Sequence, residues 1–251
     1  MKTRIALFAN SGPGLEIAEF LKKQSDDEIV CLYLADHYPE IDAQIRNVVN
    51  LPSERVFAHD SVKNDNHVNW FRSQNIDFII TVYWPYLLKF SFLQLARDSV
   101  NFHPALLPIN RGWYPHVHSI IDGSKTGVTL HRMDAGADTG PVWYQKEVPV
   151  LPTDDAKALY VRLQSAIIAA FAENWSRIKS GKIIPSPQDE SLAVYHAKKE
   201  IDTLDEIDLN KTYKAADLIN LLRARTFGNK GFAYYYSEGK KIRINIRLNE
   251  E

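Results

Sequence analysis

This chain of 251 residues is short of several things, and each shortage removes a class of protein. It has one cysteine, Cys31, inside the strand-like run CLYLAD, so no internal disulfide can form and the thiol reads as a small buried hydrophobe. No cysteine pair carries zinc-ligand spacing, and no metal site is expected. The glycines after the first apolar run, Gly12 and Gly14, lack the third member of a dinucleotide fingerprint, so a nicotinamide cofactor is not implied. There is no excess of either charge: 30 basic and 31 acidic side chains leave a net −1, which argues against an extended nucleic-acid footprint. No apolar stretch is long enough to span a bilayer, and Met1 leads straight into a charged residue and a strand, without a signal peptide. The expected location is the cytoplasm.

What the chain does have is 45% apolar residues, spread evenly, enough for the core of one α/β domain with a modest appendage. Strand-like runs at 4–10, 28–35, 56–59 and 77–84 alternate with helical patterns at 15–23, 41–49 and 62–74. The run DFIITVYW is continuously apolar, as in a strand covered on both faces of a parallel sheet. A helix is expected over Ser91–Arg97, then strands over 127–132 and 142–148, read as an antiparallel pair. One long helix, capped at Thr153-Asp154-Asp155, should run to Lys179. The alternation predicts a doubly wound, mostly parallel sheet. Pro185-Ser186-Pro187-Gln188 marks the boundary between a domain over 1–185 and a segment over 186–251. That segment is expected to hold a helix, Thr212–Arg223, and a β-hairpin within Gly231–Leu248. A lone hairpin is marginal in water, so it should dock on the domain or on a second copy, which makes a homodimer the expectation.

The chemistry should lie between residues 99 and 143. Asn101 and His103 are two apart on one strand and so share a face, and Pro104 ends that strand. Asp138 lies in a glycine-flanked loop, with Asp134 as its competitor. An amide donor, an imidazole and a carboxylate are the parts needed for attack of an amine on a carbonyl. Asn10, Ser11 and Gly12 precede a helix whose N–H groups suit an anion. Arg111, Gly112, Trp113 and Tyr114 form a glycine-turned loop suited to a flat ring and a phosphate. Tyr83, Trp84, Tyr86, Leu87 and Leu88 follow the fourth strand, where ligands of open α/β sheets bind, although the aromatics alone would read as core. His116 and His118 do not share a helix face, so they do not suggest a metal.

The string Asn101-x-His103-Pro104-x-x-Leu107-Pro108, Arg111-Gly112, Gly127-x-Thr129-x-His131, Asp138-x-Gly140 resembles the formyltransferase family. That resemblance implies a Rossmann-like core and 10-formyltetrahydrofolate as co-substrate. It implies catalysis by Asn101, His103 and Asp138, and a pterin received by Tyr83, Trp84, Tyr86, Leu87 and Leu88, with Asp134 on the pterin side. It also brings the acceptor phosphates near Asn10, Ser11 and Gly12. Asn110-Arg111-Gly112-Trp113-Tyr114-Pro115 together with a short helix-and-hairpin tail resembles the sugar N-formyltransferases, implying a dTDP-linked 3- or 4-amino-dideoxyhexose of surface polysaccharide (O-antigen) as acceptor. Methionyl-tRNA and glycinamide ribonucleotide are the alternative acceptors, and a non-catalytic nucleotide-sugar or folate binding module is the alternative class.

Overall fold

A computed structural model describes all residues, 1–251. Its chief element is a seven-stranded sheet of order β3-β2-β1-β4-β5-β7-β8. The strands are β1 (Thr3–Ala9), β2 (Asp27–Leu34), β3 (Val56–Ala58), β4 (Phe78–Val82), β5 (Asp98–His103), β7 (Gly127–His131) and β8 (Val142–Glu147). β1 runs parallel to β2 and to β4, β2 to β3, and β4 to β5. The order therefore reverses between β1 and β4, the place where open α/β sheets leave a crevice at the strand ends. Ala9 is paired with Val82, and Thr81 with Asn101, so Asn10, Tyr83 and Asn101 all come at the carboxyl edge.

Local chemistry explains the helices. In α1 (Ser11–Lys23), Ile17, Ala18 and Leu21 are buried on one face. A Cβ on Gly14 would stand 3.1–3.3 Å from Ala9, so glycine lets this helix start hard against β1. α2 spans Pro39–Val49. The helix expected over 62–74 is instead a single turn at Ser61–Lys63 followed by α3 (Asp65–Ser73). Asn64 separates them because its side chain accepts from the N–H groups of Asn66 and His67. The helix expected over Ser91–Arg97 is only one turn, α4 (Phe90–Leu93). The N–H groups of Arg97 and Asp98 are already taken by the carbonyls of Ile76 and Asp77, which pulls the chain into β5. α6 runs from Ala156 to Lys179 and is capped by Asp155 alone, which accepts from Ala158 N–H at 2.7 Å. Asp154 is drawn away to Leu151 N–H and Arg162.

The chain divides into two compact units. One comprises Met1–His103, Leu130–Tyr144 and Ile167–Gln188. Its core gathers Phe8, Tyr33, Phe71, Ile79, Leu88 and Phe92, with Phe8 stacked on Tyr33 at 3.9 Å. The other comprises Pro104–Thr129, Gln145–Ala166 and Asp189–Glu251. It holds β6 (Arg111–Gly112), α5 (Pro115–Asp122), β9 (Tyr195–His196) and α7 (Ala215–Ala224). Its remaining strands are β10 (Thr226–Phe227), β11 (Lys230–Gly231), β12 (Tyr234–Ser237) and β13 (Lys240–Arg243). The expected hairpin forms, but only β12 and β13 pair within it, through a turn with Glu238 and Gly239 at positive φ. Gly231 pairs back to Thr226 instead.

Candidate functional site

β5 presents Asn101 and His103 on one face, and the loop after β7 brings Asp138 to them. His103 Nδ1 lies 3.4 Å from one Asp138 oxygen, and Asn101 Nδ2 donates to the other at 3.3 Å. The amide of Asn101 is oriented from both ends. Its oxygen accepts from Thr81 Oγ1 at 2.6 Å, and its nitrogen donates to His131 Nε2 at 3.0 Å. His131 Nδ1 is 2.8 Å from the carbonyl of Arg132. A carbonyl only accepts, so the ring carries its proton on Nδ1 and offers a bare Nε2 to the amide.

The loop that carries Asp138 is held by its own backbone. Asp138 adopts φ +57°, and Gln188 Nε2 donates to the carbonyls of Asp138 and Gly140 at 2.8 and 2.7 Å. A Cβ on Gly140 would come within 1.9 Å of the Arg132 carbonyl, so only glycine fits there. Asp134 accepts from Gly136 N–H and Thr139 Oγ1, which uses one of its oxygens on the loop itself. Of the two acids, only Asp138 reaches His103.

At the switch point, Asn10 Nδ2 donates to the carbonyl of Tyr83 at 2.9 Å and so joins the ends of β1 and β4. Asn10 Oδ1 and Trp84 Nε1 are buried without a partner, two polar atoms that suit a ligand. Ser11 has φ +58°, and nothing lies within 4 Å of a Cβ on Gly12, which leaves the start of α1 open. Tyr86 stacks on His59 and bonds His37. Leu87 is 73% exposed, whereas Leu88 is 5% exposed and belongs to the core. Leu88, expected at the pterin, packs in the cluster with Phe8.

Arg111 also differs from expectation. Its guanidinium, read as a phosphate ligand, is buried in a two-fold pair with Glu190 at 2.6 and 2.9 Å. Arg111 holds the Glu190 carboxyl below its usual range. The pair ties β6 to the segment before β9, whose strand aligns Arg111 with Tyr195 and Gly112 with His196. Gly112 has φ +87°, and a Cβ there would meet the His196 carbonyl at 2.4 Å. Trp113 and Tyr114 follow, with Lys198 Nζ 4.6 Å from the Trp113 ring centre.

His118, His196 and Glu200 offer donor atoms within 4.8 Å of one another, so the histidine partner of His118 is His196 and not His116. The two rings are stacked at 3.5 Å and 4°, which sends their in-plane lone pairs along parallel planes rather than to one point. Burial, then the His196 ring, pushes His118 down to about 4. Burial pushes His116 down to about 3.

A family profile described as "Formyl transferase" matches residues 4–174, and one described as "N-formyltransferase dimerization C-terminal domain" matches 200–250. The chain belongs to the formyl transferase family. Its curated relatives include dTDP-4-amino-4,6-dideoxyglucose formyltransferase of Mycobacterium bovis, 34% identical over 61% of this chain. That match spans 65% of the relative, just under two thirds of its length. A 4-N formyltransferase from Francisella tularensis superposes with a TM-score of 0.86 at 23% identity, over 99% of each chain. An N-formyltransferase from Helicobacter canadensis, in complex with folinic acid and dTDP-3-aminofucose, superposes with a TM-score of 0.74 at 19% identity, over 96% of this chain and 86% of that one. Within this formyl transferase, sequence reasoning overlooked Thr81, His131 and Gln188 as supports of the site. His131 stood in the motif string, but no role followed from spacing alone. No helix is long and apolar enough to cross a membrane.

Proposed function

We propose that the chain transfers a formyl group from 10-formyltetrahydrofolate to the amine of a dTDP-linked 3- or 4-amino-dideoxyhexose, an intermediate of surface polysaccharide such as O-antigen. The observation that carries this reading is the joining of Asn101, His103 and Asp138 in one hydrogen-bonded group at the end of β5. The names of the mycobacterial and Helicobacter relatives support the acceptor class, and the folinic acid of the latter supports a folate donor. The balanced charge argues against tRNA as acceptor. Asn10, Ser11, Gly12, Gly112, Trp113 and Tyr114 are assigned to the acceptor, with Arg111 holding their loop through its pair with Glu190. Tyr83, Trp84, Tyr86, Leu87 and Asp134 are assigned to the folate, and the unpartnered Trp84 Nε1 and the exposed Leu87 fit a ring with both polar and apolar edges.

The folate supplies a formyl carbon open to attack by the acceptor amine. Asn101 N–H₂ stabilises the negative charge that grows on the formyl oxygen, an effect worth about 2.7–4 kcal/mol for donors of this kind. His103 takes the ammonium proton, and Asp138 keeps the imidazole in the tautomer with its proton on Nδ1 and then supports the imidazolium. The tetrahedral adduct collapses by breaking the formyl carbon's bond to the folate nitrogen, and that nitrogen takes the proton back from the imidazolium, leaving tetrahydrofolate and the formamide. No metal takes part. The reading further divides the chain into a catalytic domain over 1–185 and a C-terminal segment over 186–251 through which two copies pair, and it puts the reaction in the cytoplasm.

Turnover followed by mass spectrometry tests it. The purified protein is mixed with 10-formyltetrahydrofolate and a panel of amino-sugar nucleotides, with glycinamide ribonucleotide and charged initiator tRNA as controls. Gain of one formyl group on a dTDP-amino sugar is expected. Formylation of a control alone would overturn the acceptor, and folate binding without any product would overturn the enzyme reading.

A further inference from the structure

A cavity of about 340 Å³ is lined by none of the residues assigned to catalysis, folate or acceptor. Its wall includes Thr153, Arg223, Asn229, Asn245, Arg247 and Asn249. Arg223, in the last turn of α7, is only 9% exposed. Its Nη1 donates to the carbonyls of Leu151, Asp154 and Pro152 at 2.8, 3.2 and 3.4 Å, and its Nε to Asn220 Oδ1 at 2.9 Å. Those are neutral acceptors, and they leave Nη2 unused. The Asp154 carboxylate is committed elsewhere: both of its oxygens are held by Arg162, and one also accepts from Leu151 N–H. Arg223 is therefore a largely buried cation that bonds only neutral acceptors and has one guanidinium nitrogen, Nη2, left for a ligand.

The rest of the wall carries one more cation, Arg247, one carboxylate, Asp155, and neutral amides. Arg247 makes no ion pair. The one carboxylate in the lining, Asp155, is occupied by the N–H groups of Ala158 at 2.7 Å and Gly228 at 2.9 Å. The Lys157 stem passes over Gly228 beside it. Asn245 is held in place by its bond to the Gly228 carbonyl, and Asn229 and Asn249 add amide donors. Two guanidiniums with unused N–H groups, rimmed by amides, match the oxygens of a phosphate.

We infer that this cavity is a binding site for a phosphate-bearing small molecule, held between Arg223 and Arg247. The cavity shares no residue with the catalytic, folate or acceptor assignments, but most of its wall belongs to the C-terminal segment proposed above to pair two copies. Two sources carry the chemistry, free phosphate ions and the diphosphate of a nucleotide, and the ligands used tell them apart.

The test is calorimetric titration of the full chain with inorganic phosphate, pyrophosphate and dTDP, together with anomalous diffraction from crystals soaked in tungstate. Arg247→Ala is the main variant, because the side chain is exposed. Arg223→Lys is the second, because it keeps a cation for the three carbonyls while removing the fork. Pyrophosphate should bind the wild type, and each variant should weaken it by about tenfold. A dTDP affinity that falls likewise in Arg247→Ala identifies the nucleotide as the source. Binding of phosphate and pyrophosphate alone identifies the free ion. Tungstate should lie between the two arginines. Three results would overturn the inference: no binding by the wild type, binding unchanged in both variants, or a dimer that Arg247→Ala loosens while phosphate has no effect.

Discussion

Two carboxylates in this molecule each face a basic side chain, and they do so differently. Glu190 grips Arg111 with two bonds of 2.6 and 2.9 Å, whereas Asp138 stands 3.4 Å from His103 and 3.3 Å from the Asn101 amide. Glu190 is on the surface and its partner is buried; Asp138 and His103 are both largely enclosed. The tight pair fixes a loop and has no reason to change. On the proposed mechanism the loose group exchanges partners as charge moves from an amine to an imidazole, and contacts of this length are ordinary for catalytic groups before the substrate arrives.

The largest expected effects would break the loose group. His103→Ala should lower turnover by about 10²–10⁴-fold, and Asn101→Ala by about 10²–10³-fold, with circular dichroism unchanged. Near wild-type rates in both would remove the site from β5. His131→Phe sharpens the comparison. It removes the acceptor that aims the Asn101 amide, so kcat should drop by about tenfold with little change in acceptor KM, and His131→Gln should recover part of the loss. Equal changes in kcat and KM for both variants would reduce His131 to packing.

On the tight side, Glu190→Gln should raise acceptor KM by about threefold at constant kcat and lower the melting temperature, because Arg111 loses its charged partner. A fall in kcat alone would contradict the scaffold role. The smallest effect concerns pH. His116 and His118 ionise in the fold only at about 3 and about 4, against 6.5 in an unfolded chain. Between those values the unfolded state binds more protons, so stability is full above about pH 6.5 and declines as pH falls toward 4. Denaturant midpoints measured from pH 7 to 4 should fall less steeply in His116→Phe than in the wild type, and equal slopes would refute this assignment.

The pattern of apolar runs was enough for the parallel strands, because buried strands and amphipathic helices write their burial into the chain with fixed periods. The pairing of Asn101 with His103 was legible for the same reason, a period of two on one strand. The ends of elements were less legible. Asn64 splits one helical pattern and Asp154 abandons a cap, and in each case the decision came from a hydrogen bond that the pattern does not display.

Glycine and aspartate in the loop before β8 announced a site, and the family spacing chose Asp138 over Asp134. What only the tertiary structure decided is which side chains meet across long stretches of chain. Arg111 was read as a phosphate ligand because a lone arginine beside aromatics looks available, and Glu190, seventy-nine residues later, has taken its fork. His118 was weighed against His116 because they are neighbours in sequence, and its ring is stacked on His196. Leu88 was placed beside the pterin by the resemblance, and its side chain packs in the core. The physical reason is common to all three. Periodicity encodes how much surface a residue buries, a local quantity, whereas the partner of a charge or a ring depends on which distant segment the fold returns to that point.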